Sequence, residues 1–202
     1  MYDALIVGAG AAGLQCALVL GSAVKAPYAS GKRIGIIMHQ KASHLQSALL
    51  NNVLGVPSNT SGKEILATGK AQLSTNYPHV EQIPTQKVLA VEGQAGDYTI
   101  TTNKGTYRSK VVVIALGYTN VFAIKGLMDF VEPHALSPAD KNRIQLKNLQ
   151  HKIKEGLYVA GTLAGWRSQF AIAAGSGAQV ATDILTQWNN GKHTKVHDKI
   201  TT

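Results

Sequence analysis

Val7-Gly8-Ala9-Gly10-Ala11-Ala12-Gly13 closes the apolar run Ala4 to Val7 and opens a proline-free stretch, rich in Ala and Leu, from Ala11 to Ala23. A Gly-x-Gly-x-x-Gly turn between an apolar strand and an apolar helix is the signature of a dinucleotide site. The first glycine permits the bend after the strand. The second lets a pyrophosphate approach the main chain, and the third lets helix and strand pack closely. N–H groups at the helix start, with the positive end of the helix dipole, then hold the phosphates. Arg33 to Met38 supplies a second buried strand, and Ala26 to Lys32 lengthens the connection before it.

An Asp or Glu commonly ends that second strand and accepts bonds from the ribose hydroxyls. Here Ile36-Ile37-Met38-His39-Gln40-Lys41 contains no acid. Three readings stay open: His39 or Gln40 accepts one hydroxyl bond, Lys41 with His39 pairs a 2′-phosphate and makes the site NADP-specific, or the stretch is a solvated polar turn.

Further along, Ser61-Gly62-Lys63-Glu64 has the form of a capping box before a helix reaching about Thr75. Gln86 to Val91, Tyr98 to Thr102 and Thr106 to Ser109, separated by glycine-bearing turns, predict a three-stranded antiparallel meander. Lys110 to Leu116 predicts another buried strand, ending at Gly117. Gly156 to Ala160 predicts a last short strand and Trp166 to Trp188 a long closing helix, after a less regular stretch with Pro133 and Pro138.

Composition limits the function classes. The chain of 202 residues is 45% hydrophobic and 15% charged, which is globular rather than disordered. No apolar stretch reaches the roughly 18 to 20 residues of a membrane span, and no basic segment precedes an apolar core at the N-terminus. The net charge of +9 suits an acidic protein partner. The excess is dispersed apart from a tail at Lys192, Lys195 and Lys199, and no aromatics interleave with it, so no nucleic-acid partner is expected. The single cysteine, Cys16, forms no dithiol pair and reads as a buried small hydrophobe, fitting a cytoplasmic setting. His39 and His44 lack a nearby cysteine or acid to complete a metal site, so no metal is expected, and no Gly-x-Ser-x-Gly elbow supports a hydrolase.

Gly156-Leu157-Tyr158-Val159-Ala160-Gly161-Thr162, followed by Gln169 to Gln179, resembles the C-terminal flavin motif of thioredoxin reductases. Asn52-Val53-Leu54-Gly55 with Ser61-Gly62, Lys87-Val88, and Ile114-Ala115-Leu116-Gly117 resemble further blocks of that family's FAD-binding domain, in the family's order. The resemblance implies an α/β, three-layer FAD/NAD(P)-binding Rossmann-like fold: a parallel sheet, helices and an antiparallel three-stranded β-meander. It implies one domain over residues 1–202, with 1–117 and 155–190 as nucleotide-binding core and 118–154 as a short connection in place of the family's NADPH domain.

The resemblance also implies site roles, with FAD as cofactor. Gly8, Gly10, Ala12 and Gly13 would hold the pyrophosphate, the Val88 backbone would meet the adenine, and Ala11, Met38, His39, Ser43 and Gly117 would also bind the cofactor. Asn52 would lie beside the flavin and its ribityl chain, with Gly161 and Thr162 at the ribityl and phosphate end. Gln169, Phe170 and Ala171 would approach the pyrimidine edge, where a helix N-terminus favours the anionic reduced flavin. Trp166 and Arg167 either flank the flavin or serve as a packing residue and a solvated charge.

Two departures stand out. Thr162 replaces the family's usual Asp, and the family's Cys-x-x-Cys is missing. The expected function is therefore an FAD-dependent oxidoreductase or electron carrier without its own dithiol, no catalytic residue being assigned. NAD(P)H or an acidic redox protein would be the electron donor, and the assembly a homodimer. The alternatives are a nucleotide-sensing module without turnover and an NADP-binding protein.

Overall fold

The computed structural model describes residues 1–39 and 43–197. The strands are β1 (Tyr2–Val7), β2 (Ile34–Met38), β3 (Leu49–Leu50), β4 (Thr60–Ser61), β5 (Val80–Pro84) and β6 (Val88–Gln94), then β7 (Asp97–Thr102), β8 (Thr106–Ile114), β9 (Val131–Pro133), β10 (Ile144–Leu146), β11 (Lys152–Lys154) and β12 (Leu157–Val159). The helices are α1 (Ala11–Ser22), α2 (Gly62–Asn76) and α3 (Phe170–Trp188).

The central sheet runs β12-β8-β1-β2-β5, all parallel, with β11 antiparallel on the outer edge of β12. Its inner strands are apolar throughout because both faces are covered. Alternate residues divide between the faces. Ala4, Ile6, Ile34, Ile36, Val111 and Val113 join α1, α2 and α3 in one core. Leu5, Val7, Ile37, Val112, Ile114 and Val159 join the meander and the segment around Ile124, Leu127 and Leu146 in the other. The result is the expected three-layer α/β fold: helices, parallel sheet, antiparallel meander.

The expected elements recur with small corrections. Ser61 caps α2, its hydroxyl accepting the Glu64 N–H at 3.2 Å. The two strands expected at Thr106–Ser109 and Lys110–Leu116 are one continuous strand, β8. No turn residue separates the halves, so the chain crosses from antiparallel pairing with β7 (Tyr98 opposite Ser109) to parallel pairing with β1 (Ala4 opposite Val111) without a break. The buried Ser109 hydroxyl donates to the Val111 carbonyl at that crossing, at 2.6 Å. The edge strand β5 was not expected, because the exposed Glu81 and half-buried Gln82 interrupt its apolar run. The closing helix starts at Phe170 rather than Trp166, since Gly165 turns left-handed at φ 89° and Gln169 is extended.

Candidate dinucleotide-binding site

Parallel strands end together. β1, β2, β8 and β12 all deliver their C-terminal ends to one cavity of about 800 Å³, where open α/β sheets characteristically bind ligands. The ends are stitched by main-chain bonds: Gly8 N–H to the Ile37 carbonyl at 2.9 Å, Ala115 N–H to Val7 at 2.8 Å, and Ala160 N–H to Ile114 at 2.9 Å. The volume lies within the roughly 300–1,000 Å³ of small-molecule and cofactor sites.

The three glycines of the first turn have distinct duties. Gly8 adopts φ 108°, and a β-carbon there would collide with the Ala115 carbonyl oxygen. A β-carbon on Gly13 would collide with the Gly8 carbonyl oxygen, so this glycine lets α1 sit against the strand. Gly10 is different: it is extended at φ −82°, and a β-carbon there would meet no protein atom within 4 Å. It lines the cavity, as do Gly8, Ala11 and Ala12. Gly10 is also the N-cap of α1, whose first turn has no side-chain cap. An uncapped helix start facing a cavity, with open space where a side chain would be, fits the close approach of a phosphate.

A second helix start reaches the cavity. Gln169, the N-cap of α3, and Phe170 both line the cavity, again without a side-chain cap. Gly161 and Thr162 reach it from the end of β12. The Gly161 N–H donates to the buried Ser176 hydroxyl of α3 at 2.7 Å. A β-carbon on Gly177 of α3 would collide with the Ala12 carbonyl, so α1 and α3 meet at a glycine contact.

His39, Ser43, Asn52, Val88 and Gly117 also line the cavity. Three other expected residues do not. Met38 packs into the helix-side core, because strand alternation sends it opposite to Ile37. Gly13 is enclosed between helix and strand, and Ala171 lies one position past Phe170, away from the lining formed by Phe170 and Ala173. Lys41, on which the 2′-phosphate reading rests, lies with Gln40 outside the described residues.

A whole wall was missed by the sequence reading. Leu116, Tyr118, Val121, Phe122 and Ile124 cover the cavity from the irregular stretch after β8. Tyr118 is its hub: the rings of His44 and His134 meet it edge-on at 5.7 and 5.3 Å, and the Arg143 guanidinium lies over it at 5.0 Å. His134 ties this stretch to the site. Its Nδ1 accepts the Leu136 N–H and its Nε2–H donates to the Thr162 carbonyl, both at 3.1 Å. The clustered aromatics at Tyr118 and Phe122 were the available signal.

Among the described residues no Asp or Glu lines the cavity, while Lys87, His39 and His44 do. With two helix N-termini, the lining favours an anionic guest. Among the described residues no group of three or more His, Cys, Asp or Glu side chains stands together, and no helix is long and apolar enough to cross a membrane. Cys16 is fully buried in α1, and burial pushes its thiol far above the ordinary range.

Residues 2–175 match the family model described as pyridine nucleotide-disulphide oxidoreductase. The fold is similar to that of a thioredoxin reductase from Gloeobacter violaceus, with 15% identity, a TM-score of 0.71, and 100% of this chain and 99% of that chain covered. It is similar to an oxidoreductase from Agrobacterium tumefaciens, with 13% identity, a TM-score of 0.71 and coverage of 91% and 97%. A ferredoxin-flavin thioredoxin reductase from Clostridium acetobutylicum gives 15% identity, a TM-score of 0.68 and coverage of 94% and 98%. No curated protein sequence matches the chain.

Proposed function

The chain belongs to the pyridine nucleotide-disulphide oxidoreductase family, and on that premise we propose that it is an FAD-binding oxidoreductase or electron carrier that works without a dithiol of its own. The observation that carries this reading is the bare Gly10 at the uncapped start of α1, on the wall of a cavity large enough for a dinucleotide. Gly8, Gly10 and Ala12 would hold the pyrophosphate, His39 and Val88 the adenosine end, and Thr162, Gln169 and Phe170 the ribityl chain and ring. FAD would supply one- and two-electron transfer there. The protein's part is to bind the cofactor, shield it beneath the Tyr118–Ile124 wall, and place the α3 N-terminus where reduced flavin carries negative charge.

With a single buried cysteine, electrons leave to a separate acceptor. NAD(P)H or an acidic redox protein is the proposed donor. The net charge of +9 and the name of the Clostridium structure both support the second.

The test is the visible spectrum of the purified protein and its uptake of FAD on reconstitution. Flavin absorption with stoichiometric uptake is expected; no bands and no uptake would overturn the reading. A lining without Asp or Glu among the described residues favours a second reading, a nucleotide-sensing module without turnover, since ribose and ribityl hydroxyls would find no carboxylate there. Photoreduction followed by stopped-flow mixing with acceptors separates the two, fast reoxidation arguing against a sensor.

A further inference from the structure

A second cavity, of about 520 Å³, shares Tyr118, Ser168 and Gln169 with the first. Three cations line it: Lys141 and Arg143 from the loop between β9 and β10, and Arg167 from the loop before α3. Among the described residues none of the three has a carboxylate within ion-pair distance, although six pairs form elsewhere in the molecule. Among the described residues no acid lines the cavity either. Three like charges gathered around one space make a field suited to a multiply charged anion.

The remaining lining narrows the guest. Ser137 and Ser168 add hydroxyls beside the cations. Donors arriving from separate segments match a phosphate, which accepts on three oxygens, better than a carboxylate, which one arginine fork satisfies. Tyr118 and Trp166 add ring faces. Trp166 stacks on His151 at 5.4 Å with an 11° interplanar angle, yet stays 47% exposed. An indole held flat and left open at a pocket is a platform for a planar ring.

We propose that this cavity is a second ligand site, taking a small phosphorylated molecule that carries a planar ring and lies beside the occupant of the main cavity.

Tryptophan fluorescence provides the test, because Trp166 and Trp188 are the two tryptophans of the chain. The protein is titrated at constant ionic strength with adenosine monophosphate, ribose 5-phosphate, inorganic phosphate, adenosine and citrate, as purified and after FAD reconstitution. The nucleotide is expected to quench Trp166, with the signal retained in Trp188→Phe, and to bind at least tenfold more tightly than any other probe. Lys141→Gln with Arg167→Gln is expected to weaken it at least tenfold while leaving FAD uptake within twofold. Equal nucleotide affinity in that double variant would overturn the proposal, as would equally tight binding of adenosine or citrate. Because the double variant leaves the glycine turn intact, a failure of FAD uptake is read separately.

Discussion

Gly13 stands so close to the carbonyl oxygen of Gly8 that no β-carbon fits between them, whereas a β-carbon on Gly10, midway in the same turn, would meet nothing within 4 Å. One turn thus contains glycines demanded by the fold and a glycine the fold does not demand. Gly13→Ala should destabilise the protein by about 1–3 kcal/mol through overpacking, read as a lower thermal midpoint or insoluble expression. Gly10→Ala should keep the parental midpoint and weaken FAD uptake at least tenfold. Unaltered FAD affinity in Gly10→Ala would remove the pyrophosphate from this turn.

Thr162 lines the cavity, and its side chain brings no charge there. Replacing a neutral acceptor with a carboxylate should strengthen a hydroxyl bond by about 1 kcal/mol, or severalfold in the FAD dissociation constant. Titrating apoprotein from the parent and from Thr162→Asp checks this. Weaker binding in the variant would mean that the ribityl chain does not pass here.

The buried Ser176 hydroxyl is the acceptor for the Gly161 N–H. Ser176→Ala strands a buried donor, which costs about 1–3 kcal/mol, and frees the loop that carries Thr162. Loss of stability together with looser FAD binding is the expected pair of results in denaturant melts and cofactor titrations.

His151 supplies a pH dependence. Burial lowers its pKa below the ordinary value of 6.5, opposed in part by its bond to the Val159 carbonyl and by the charge of Asp183. Between the lowered folded value and the unfolded one, the unfolded chain binds more protons, so stability falls as pH falls. The loss begins near 6.5 and levels off below the folded-state pKa. Denaturant midpoints should therefore drop as pH falls through about 6.5, and drop less in His151→Asn, since asparagine tolerates the φ of 73° at this position. An equal drop in the variant would assign the effect to other groups.

Cys16 should resist alkylation in the folded protein and react after denaturation, as mass spectrometry reads directly. Cys16→Ala should leave any electron transfer unchanged. A slower variant would reinstate a thiol in the chemistry.

The layers were legible because their periodicities are strong: continuous apolar strands at Ala4–Val7 and Lys110–Ile114, an Ala- and Leu-rich helix after Gly10, and glycine-bearing turns in the meander. The glycine turn and the Gly161–Gln169 stretch were legible because backbone geometry there restricts residue type. What stayed hidden lacks such a period. β5 is a half-polar edge strand, and the Tyr118–Ile124 wall is irregular chain held by long-range contacts such as His134 to Thr162. The packing of Met38 away from the cavity stayed hidden too, because a continuously apolar strand does not announce which residues face the site, and its alternation emerges only once both faces are packed.

The continuity of β8 bears on how the chain folds. β1 lies far ahead of its partner β8 along the chain, and β12 comes later still. Loop closure over such separations is slow, and the central sheet has an open edge until it occurs. Since β8 also carries the last rung of the meander, its docking zips both layers in one event. Nascent chains stopped before Thr106 would thus leave β1 unpaired along that edge, open to association with other chains.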